Sequence, residues 1–555
     1  MFKKFILILF INVFVVKAQV VYEPIDNSIY SFLDEMSNKG LININLLIKP
    51  IPRIEIAKQL LKLKNKQNDL TEIELKELNF YCQDFQDEIT FLQNNSFDTT
   101  ETHKFAYYNS DVSNLYRYTS ELFTLKADVI YGVSLENRFG KKFTHRWNGA
   151  SVYGYLDNNI GYMFNFRDNR EESDYLDHRK ILSDEMGITA NPLNGGLEYS
   201  EARASLSYNW SWGTITFAKD YLTWGYEKSG NIVLGRKAPT YPYVRLDITP
   251  TDWFSFNYIH AFLESQIIDS IETYKIHSYR ESSRIIYRSK YLASHTISIR
   301  YKNITFNAGE SMVYSDQIRP LYLLPVMFFR LADHYYSNIN NDAGDNAQFF
   351  FNISSRNDLP NTHLYATLYI DEITLSNLFD KQKQRYQVAM NYGISNYGGI
   401  INNLSLTLEY TKIFPFVYQH YIKTIDYSSS NYSLGHWLSD NADLFYFSTK
   451  YKFFRGLDLQ TYFKYIRKGN GGLSDSLMRY RQYTNSIHQP KFLWGKVAER
   501  LYLGAELTYE IWHNFVAKLA FEYTNFKDEL KDNSRTFDYQ LGKNNNYKFS
   551  IYYKL

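Results

Sequence analysis

The sequence predicts a transmembrane β-barrel of about 18 antiparallel strands with a small N-terminal periplasmic α-helical bundle. Three observations predict it. Aromatics are 18% of the 555 residues (51 Tyr, 39 Phe, 8 Trp), yet the mean hydropathy is −0.41. Many aromatics at low hydropathy are what alternating strands give when one face meets lipid and the other meets water. From about residue 120 the apolar period is two, and the segments carrying it are joined by connections that alternate short and long. Before residue 95 the period is helical instead.

Residues 1–18 read as a secretory signal peptide. Lys3 and Lys4 open it, Phe5 to Val16 is an apolar run, and Val16-Lys17-Ala18 precedes a cut at Gln19. The run is too short to span a bilayer as a helix, which needs about 20 apolar residues. Residues 19–105 are assigned to the helical bundle. Asp26 or Asn27 caps a helix carrying Ile29, Phe32, Leu33 and Met36, and Gly40 ends it. Pro52 suits the first turn of a second helix. Thr71-Glu72-Ile73-Glu74 is a capping box, and Leu75, Leu78, Cys82, Phe85 and Ile89 then form a narrow apolar seam. Cys82 reads as a small core residue.

Residues 106–555 are assigned to the barrel. Phe123, Leu125, Ala127, Val129, Tyr131, Val133 and Leu135 alternate with Thr124, Lys126, Asp128 and Ser134. The same alternation places strands at 120–135, 147–156, 160–167, 201–210, 214–223, 242–249, 253–262, 292–301 and 304–313. It continues at 347–353, 362–371, 385–394, 404–411, 442–451, 457–466, 500–511, 515–524 and 547–555. The last strand runs Tyr547, Phe549, Ile551, Tyr553, Leu555, resembling the aromatic closing strand of outer-membrane barrels. Long connections are expected at 136–146, 168–200, 224–241, 263–291, 314–346, 372–384, 395–400, 412–441, 467–499 and 525–546. Trp210, Trp212, Trp253, Phe453, Phe454 and Trp512 flank short turns, as an interfacial girdle requires. A sandwich or propeller is disfavoured because no repeat of fixed period occurs and such aromatic outer faces would aggregate in water.

The balance of 61 basic and 59 acidic residues, net +2, gives no ground for a nucleic-acid partner. The single cysteine excludes an intrachain disulfide and a Cys-based zinc cluster. No metal or other cofactor is expected.

Tyr22-Glu23-Pro24-Ile25-Asp26 is followed by a helix and then Lys49-Pro50-Ile51-Pro52-Arg53. Further on come Trp224-Gly225-Tyr226 through Asn231-Ile232-Val233-Leu234, then Leu324-Pro325, Asp371-Glu372, Glu409-Tyr410-Thr411 and Leu434-Gly435-His436-Trp437-Leu438 followed by Asp440. In these motifs and their order the chain resembles the Wzi family of outer-membrane capsule-assembly proteins. The first two look like the family's N-terminal bundle, and the third like its tryptophan-glycine loop, with Tyr226 where the family more often has proline. The resemblance implies a monomeric, non-enzymatic surface lectin in outer-membrane lipid that binds and retains capsular or exo-polysaccharide, with other surface-assembly proteins as further partners.

A polysaccharide binder needs aromatic faces for sugar CH groups and polar groups for hydroxyls or uronates. The outer loops supply the candidates Trp224, Tyr226, Arg236, Arg319, Tyr322, His436 and Trp437; the loop holding Arg319 and Tyr322 is long enough to fold inward. Asp371, Glu372 and Glu409 lie near outer strand ends, where carboxylates bind sugar, work as an acid–base pair, or merely orient a loop. His436 near Asp440 and Asp443 has the composition of a metal site or of a hydrolytic constellation with a serine, but no Ser stands in a nucleophile-elbow context. The competing function is an outer-membrane porin for sugars or small solutes. A helical unit able to stop one mouth argues for the binding protein.

Overall fold

The structure, a computed structural model, describes residues 20–94, 101–105, 114–157, 159–173, 180, 183–193, 195–276, 282–340, 344–373, 386–471, 490–529 and 536–554. The expected signal peptide therefore lies outside the described residues, apart from which the N-terminal unit holds four helices: α1 (Ile29–Asn38), α2 (Arg53–Lys64), α3 (Glu72–Asp84) and α4 (Gln86–Asn94). The capping box forms: the Glu74 amide donates to Thr71 Oγ1 at 3.4 Å and the Thr71 amide to Glu74 Oε2 at 2.8 Å. Leu78, Cys82, Phe85 and Ile89 are buried against Phe32, Leu33, Met36 and Leu60, so the apolar seam is the unit's core.

The wall consists of β1 (Phe123–Arg138), β2 (Lys141–Leu156), β3 (Ile160–Glu172), β4 (Gly196–Trp210), β5 (Gly213–Asp220) and β6 (Tyr241–Thr251). It continues with β7 (Phe254–Ile268), β8 (Tyr287–Tyr301), β9 (Ile304–Ser315), β10 (Asn346–Arg356), β11 (Thr362–Ile373) and β12 (Tyr386–Tyr397). It ends with β13 (Leu404–Ile413), β14 (Ala442–Phe454), β15 (Leu457–Gly469), β16 (Val497–Trp512), β17 (Phe515–Lys527) and β18 (Gly542–Tyr553). Each pairs antiparallel with the next, and β18 returns to β1, Tyr553 opposite Tyr131 and Tyr547 opposite Asn137. The result is a closed barrel of 18 strands. Where β18 stops, Tyr116–Thr119 takes over as the neighbour of β1.

The burial pattern is that of a soluble protein inverted. On β1, Tyr131 is 64% exposed on the outer face while Asp128 is 4% exposed in the lumen, and the alternation recurs around the wall except on the upper part of β7–β9. Trp212, Trp253, Phe453, Phe454 and Trp512 stand exposed beside the short turns. Among the described residues no helix is long and apolar enough to cross a membrane.

Two connections differ from expectation. The stretch 136–146 is no long loop: β1 and β2 run on to a two-residue turn at Phe139 and Gly140, whose φ angles of 54° and 72° match the right-handed twist of a hairpin. The stretch 395–400 is no outer loop either, because β12 continues to Tyr397 and residues 398–403 turn at the short-turn end.

The helical unit stops the barrel at its short-turn end. Lys452 on β14 lies between Glu35 of α1 and Glu77 of α3, 2.8 Å from the latter. Arg356 on β10 meets Asp34 at 2.8 Å, Lys126 on β1 meets Asp87 at 3.1 Å, and Tyr22 donates to Asp247 on β6 at 2.6 Å. Phe80 stacks on His513 in the β16–β17 turn, ring centroids 3.7 Å apart. Acidic helices thus meet basic wall positions in a water-poor seam, where each pairing is stronger than on a surface.

Candidate functional site

Loops from the other end fold into the lumen and join this unit. In the β5–β6 loop, Thr223–Trp224 forms a two-stranded ribbon with Ile48–Lys49 of the N-terminal unit, Trp224 opposite Ile48. The Gly225 amide donates to Leu47 O at 2.8 Å. The β13–β14 loop lies across this loop: Tyr418 and Tyr427 hydroxyls donate to the carbonyls of Ile232 and Val233 at 2.6 and 2.9 Å. Trp437 Nε1 donates to Ser229 O at 2.7 Å. From the β3–β4 loop the Gly187 amide donates to Lys237 O at 2.8 Å. Leu47, Trp224, Ile232, Val233, Leu234, Leu434 and Leu438 then make one apolar core with lumenal residues of β6–β15, a septum built out from that side of the barrel.

Glu409 on β13 fixes the loop. Its buried carboxylate accepts the amides of Lys228 and Ser229 at 2.6 and 2.8 Å and the Tyr365 hydroxyl at 2.5 Å. The two amides come from a tight bend before Gly230, whose φ of +140° needs glycine; a Cβ there would come within 2.6 Å of His436 Nε2 and 2.7 Å of Trp437 Cδ1.

Beyond the septum a cavity of about 840 Å³ opens towards the long loops. Its wall includes Tyr462 and Lys464 of β15, Arg500 and Tyr502 of β16, Asp184 and Glu185 of the β3–β4 loop, and Arg236, Glu227 and Trp437 from the crossing loops. Ten basic and seven acidic side chains line it, among them Lys180, Lys237 and Lys548. Lys464 lies over the rings of Tyr462 and Tyr502, 5.0 and 5.9 Å from their centroids, and pairs with Asp184. That charge holds the Asp184 carboxyl below its usual range, and Arg138 with Lys180 outweighs burial to do the same for Glu185. Glu227 has no such partner, and burial pushes its pKa up to about 7. Aromatic faces, fixed carboxylates and ammonium groups around one water-accessible space are what sugar recognition uses.

The candidates read from the sequence fall into three places. Arg236 and Trp437 border the cavity, Arg236 paired with Asp26 of the N-terminal unit. Trp224, Tyr226, Glu409 and His436 are buried in and under the septum, turning no face to the cavity. Trp224 is edge-on to Phe350, and Tyr226 donates to Asn45 Oδ1 at 3.0 Å. His436 accepts the Leu438 amide on Nδ1 at 3.2 Å, while burial first and Lys468 second push its pKa down to about 3. Among the described residues no cluster of His, Cys, Asp and Glu is arranged for a metal. Asp371 accepts the Tyr418 amide at 2.7 Å, so this carboxylate, like Glu409, orients a loop. Glu372 pairs with Gln387 through the backbone, and its side chain lies outside the described residues.

Arg319 and Tyr322 are elsewhere altogether. The β9–β10 loop does not fold inward; it lies on the outer face of the wall, with Tyr322 buried against Tyr258, Met312 and Tyr314. Arg319 and the Tyr322 hydroxyl both meet Asp345, at 2.9 and 2.7 Å. Polar His260, His295 and Glu310 at outward positions of β7, β8 and β9 are the sequence signal of a covered outer face. Tyr462, Lys464, Arg500 and Tyr502, by contrast, escape a search confined to loops because they are lumenal strand positions.

No family model matches the sequence, and no curated protein matches it. Among solved structures, it is similar to Wzi of Escherichia coli, described as an outer membrane protein involved in group 1 capsule assembly and a carbohydrate-binding β-barrel. Identity is 12%, coverage 97% of this chain and 100% of that one, and the TM-score 0.57. It is also similar to OccD1 (OprD), at 12% identity over 77% of this chain and 94% of that one, TM-score 0.43. OpdK of Pseudomonas aeruginosa, solved with vanillate, is 10% identical over 77% and 98%, TM-score 0.42. The likeness to Wzi is one of fold.

Proposed function

We propose that the protein is an outer-membrane barrel of the Wzi type that retains capsular or exo-polysaccharide at the cell surface, without a reaction of its own. In this reading the short turns and helical unit face the periplasm and the long loops face outward. The observation that carries it is the septum. The docked helices and the crossing loops fill the lumen on the β6–β15 side, yet leave an aromatic, charged cavity of about 840 Å³ on the long-loop side. A free pore has no use for the first, and a mere plug has no use for the second. Wzi, whose fold this chain shares, is itself carbohydrate-binding.

The porin reading rests on one observation. A smaller space of about 270 Å³ beside the helical unit reaches Gln460 and Glu506, which also border the large cavity. That leaves the β15–β16 wall as the route a solute would take.

Deleting the gene in the source cell decides between them. Loss of cell-bound polysaccharide with a matching gain in the medium supports retention; unchanged polysaccharide with slower uptake of small sugars supports the porin.

A further inference from the structure

The β9–β10 loop gives the wall a feature unrelated to the cavity. Its helix α5 (Phe329–Asn340) lies over β7–β9, which present Tyr258, His295, Glu310 and Tyr314 on the outer side. These alternate with Ile259, Leu292 and Val313 of the lumenal core, so they point away from the lumen. At comparable heights on other strands the outward residues are bare, as with Phe447 on β14, Leu503 on β16 and Phe521 on β17. Here they are roofed. The Glu310 carboxylate accepts the Phe329 amide at 2.5 Å at the start of α5. Phe329 lies 4.6 Å from the His295 ring, and the Tyr258 hydroxyl donates to Tyr322 O at 2.8 Å.

The roof's own outer side carries an apolar stripe beside exposed His334 and Asn338. Val326 is 84% exposed, and Leu331 and Ile339 are 63% and 62% exposed, with Tyr335 between them one turn from each. Phe328 joins this stripe to the bare wall, its ring 6.0 Å from Phe349 on β10, above exposed Phe351 and Ile353. We infer that α5 is a membrane-contacting helix: it replaces the upper wall of β7–β9 as the surface that meets lipid acyl chains. Continuity of the stripe with the wall's apolar belt singles out lipid as its occupant. Buried Glu310 and His295 then stay out of the hydrocarbon, where an uncovered carboxylate is strongly disfavoured.

The inference rests on the barrel sitting in a bilayer, and the test separates the two. The full chain with Cys82→Ser is placed in phosphatidylcholine nanodiscs with a nitroxide at Leu331→Cys or Ile339→Cys. Ile299→Cys on the belt of β8 and Ile271→Cys in the β7–β8 loop serve as references. Collision with oxygen should exceed collision with a water-soluble nickel chelate several-fold at both α5 sites, as at position 299 and opposite to 271. Nickel access like that at 271 overturns the inference, and so does shielding from both probes, which means a protein neighbour. Nickel access at 299 overturns the membrane barrel itself.

Discussion

Replacing Lys452 by Met tests what seats the helical unit. Lys452 is buried on β14 with its ammonium between Glu35 and Glu77, themselves buried. Removing the cation leaves two carboxylates facing each other without a counter-ion, a loss of about 3–5 kcal/mol for a broken buried pair. At about 1.4 kcal/mol per tenfold, the equilibrium between docked and undocked helices shifts by roughly 10²- to 10³-fold. The barrel should survive, since its closure runs through β18 and β1. Amide exchange of α1 and α3 in the purified protein reads the shift directly, because protection there reports local opening. Exchange should accelerate by about two to three orders of magnitude, and adding Glu35→Gln and Glu77→Gln should restore much of the protection. Unchanged exchange in Lys452→Met would refute the reasoning, leaving Arg356–Asp34, Lys126–Asp87 and apolar contacts as the anchors.

Three further outcomes follow from the site. Glu409→Gln replaces an oxygen that accepts amides with a group that donates, costing about 2 kcal/mol at the β5–β6 loop; trypsin should cut after Lys228 at least tenfold faster. Glu227 is protonated in the folded protein between about pH 4.5 and 7 but ionised when unfolded, so its contribution is full below 4.5 and is lost as pH rises to 7. That interval is worth roughly 3 kcal/mol at most, and Glu227→Gln should flatten the fall in thermal midpoint between pH 5 and 8. Tyr502→Ala removes an aromatic wall of the cavity beside Lys464. It should weaken binding of the cell's own polysaccharide about tenfold, roughly the 1.4 kcal/mol of one good aromatic contact, with the barrel's heat stability unchanged.

Strand positions were legible because lipid on one side and water on the other impose a period of two that no other constraint competes with. All the expected strands occur in order; β2, β3, β4, β7, β8 and β18 run further than their alternation suggests, and β5 stops short at Asp220. The Phe139–Gly140 turn was hidden because Glu136, Asn137 and Arg138 read as loop residues, whereas they are the polar outer end of β1. Loop direction was not legible either. Trp224 and His436 have the composition of a ligand site, but aromatic loop residues serve equally well as the core of a septum, and here pairing with Ile48 buries Trp224. For the β9–β10 loop a signal existed in Glu310 and His295, polar side chains on what alternation marks as the lipid face.

The most direct test of the closed, binding barrel is single-channel recording of the intact protein in planar bilayers. The septum and docked helices predict a silent membrane, with steps emerging only when Lys452→Met loosens the unit. A steady ohmic conductance from the intact protein would contradict the account and make the passage along Gln460 and Glu506 a working pore.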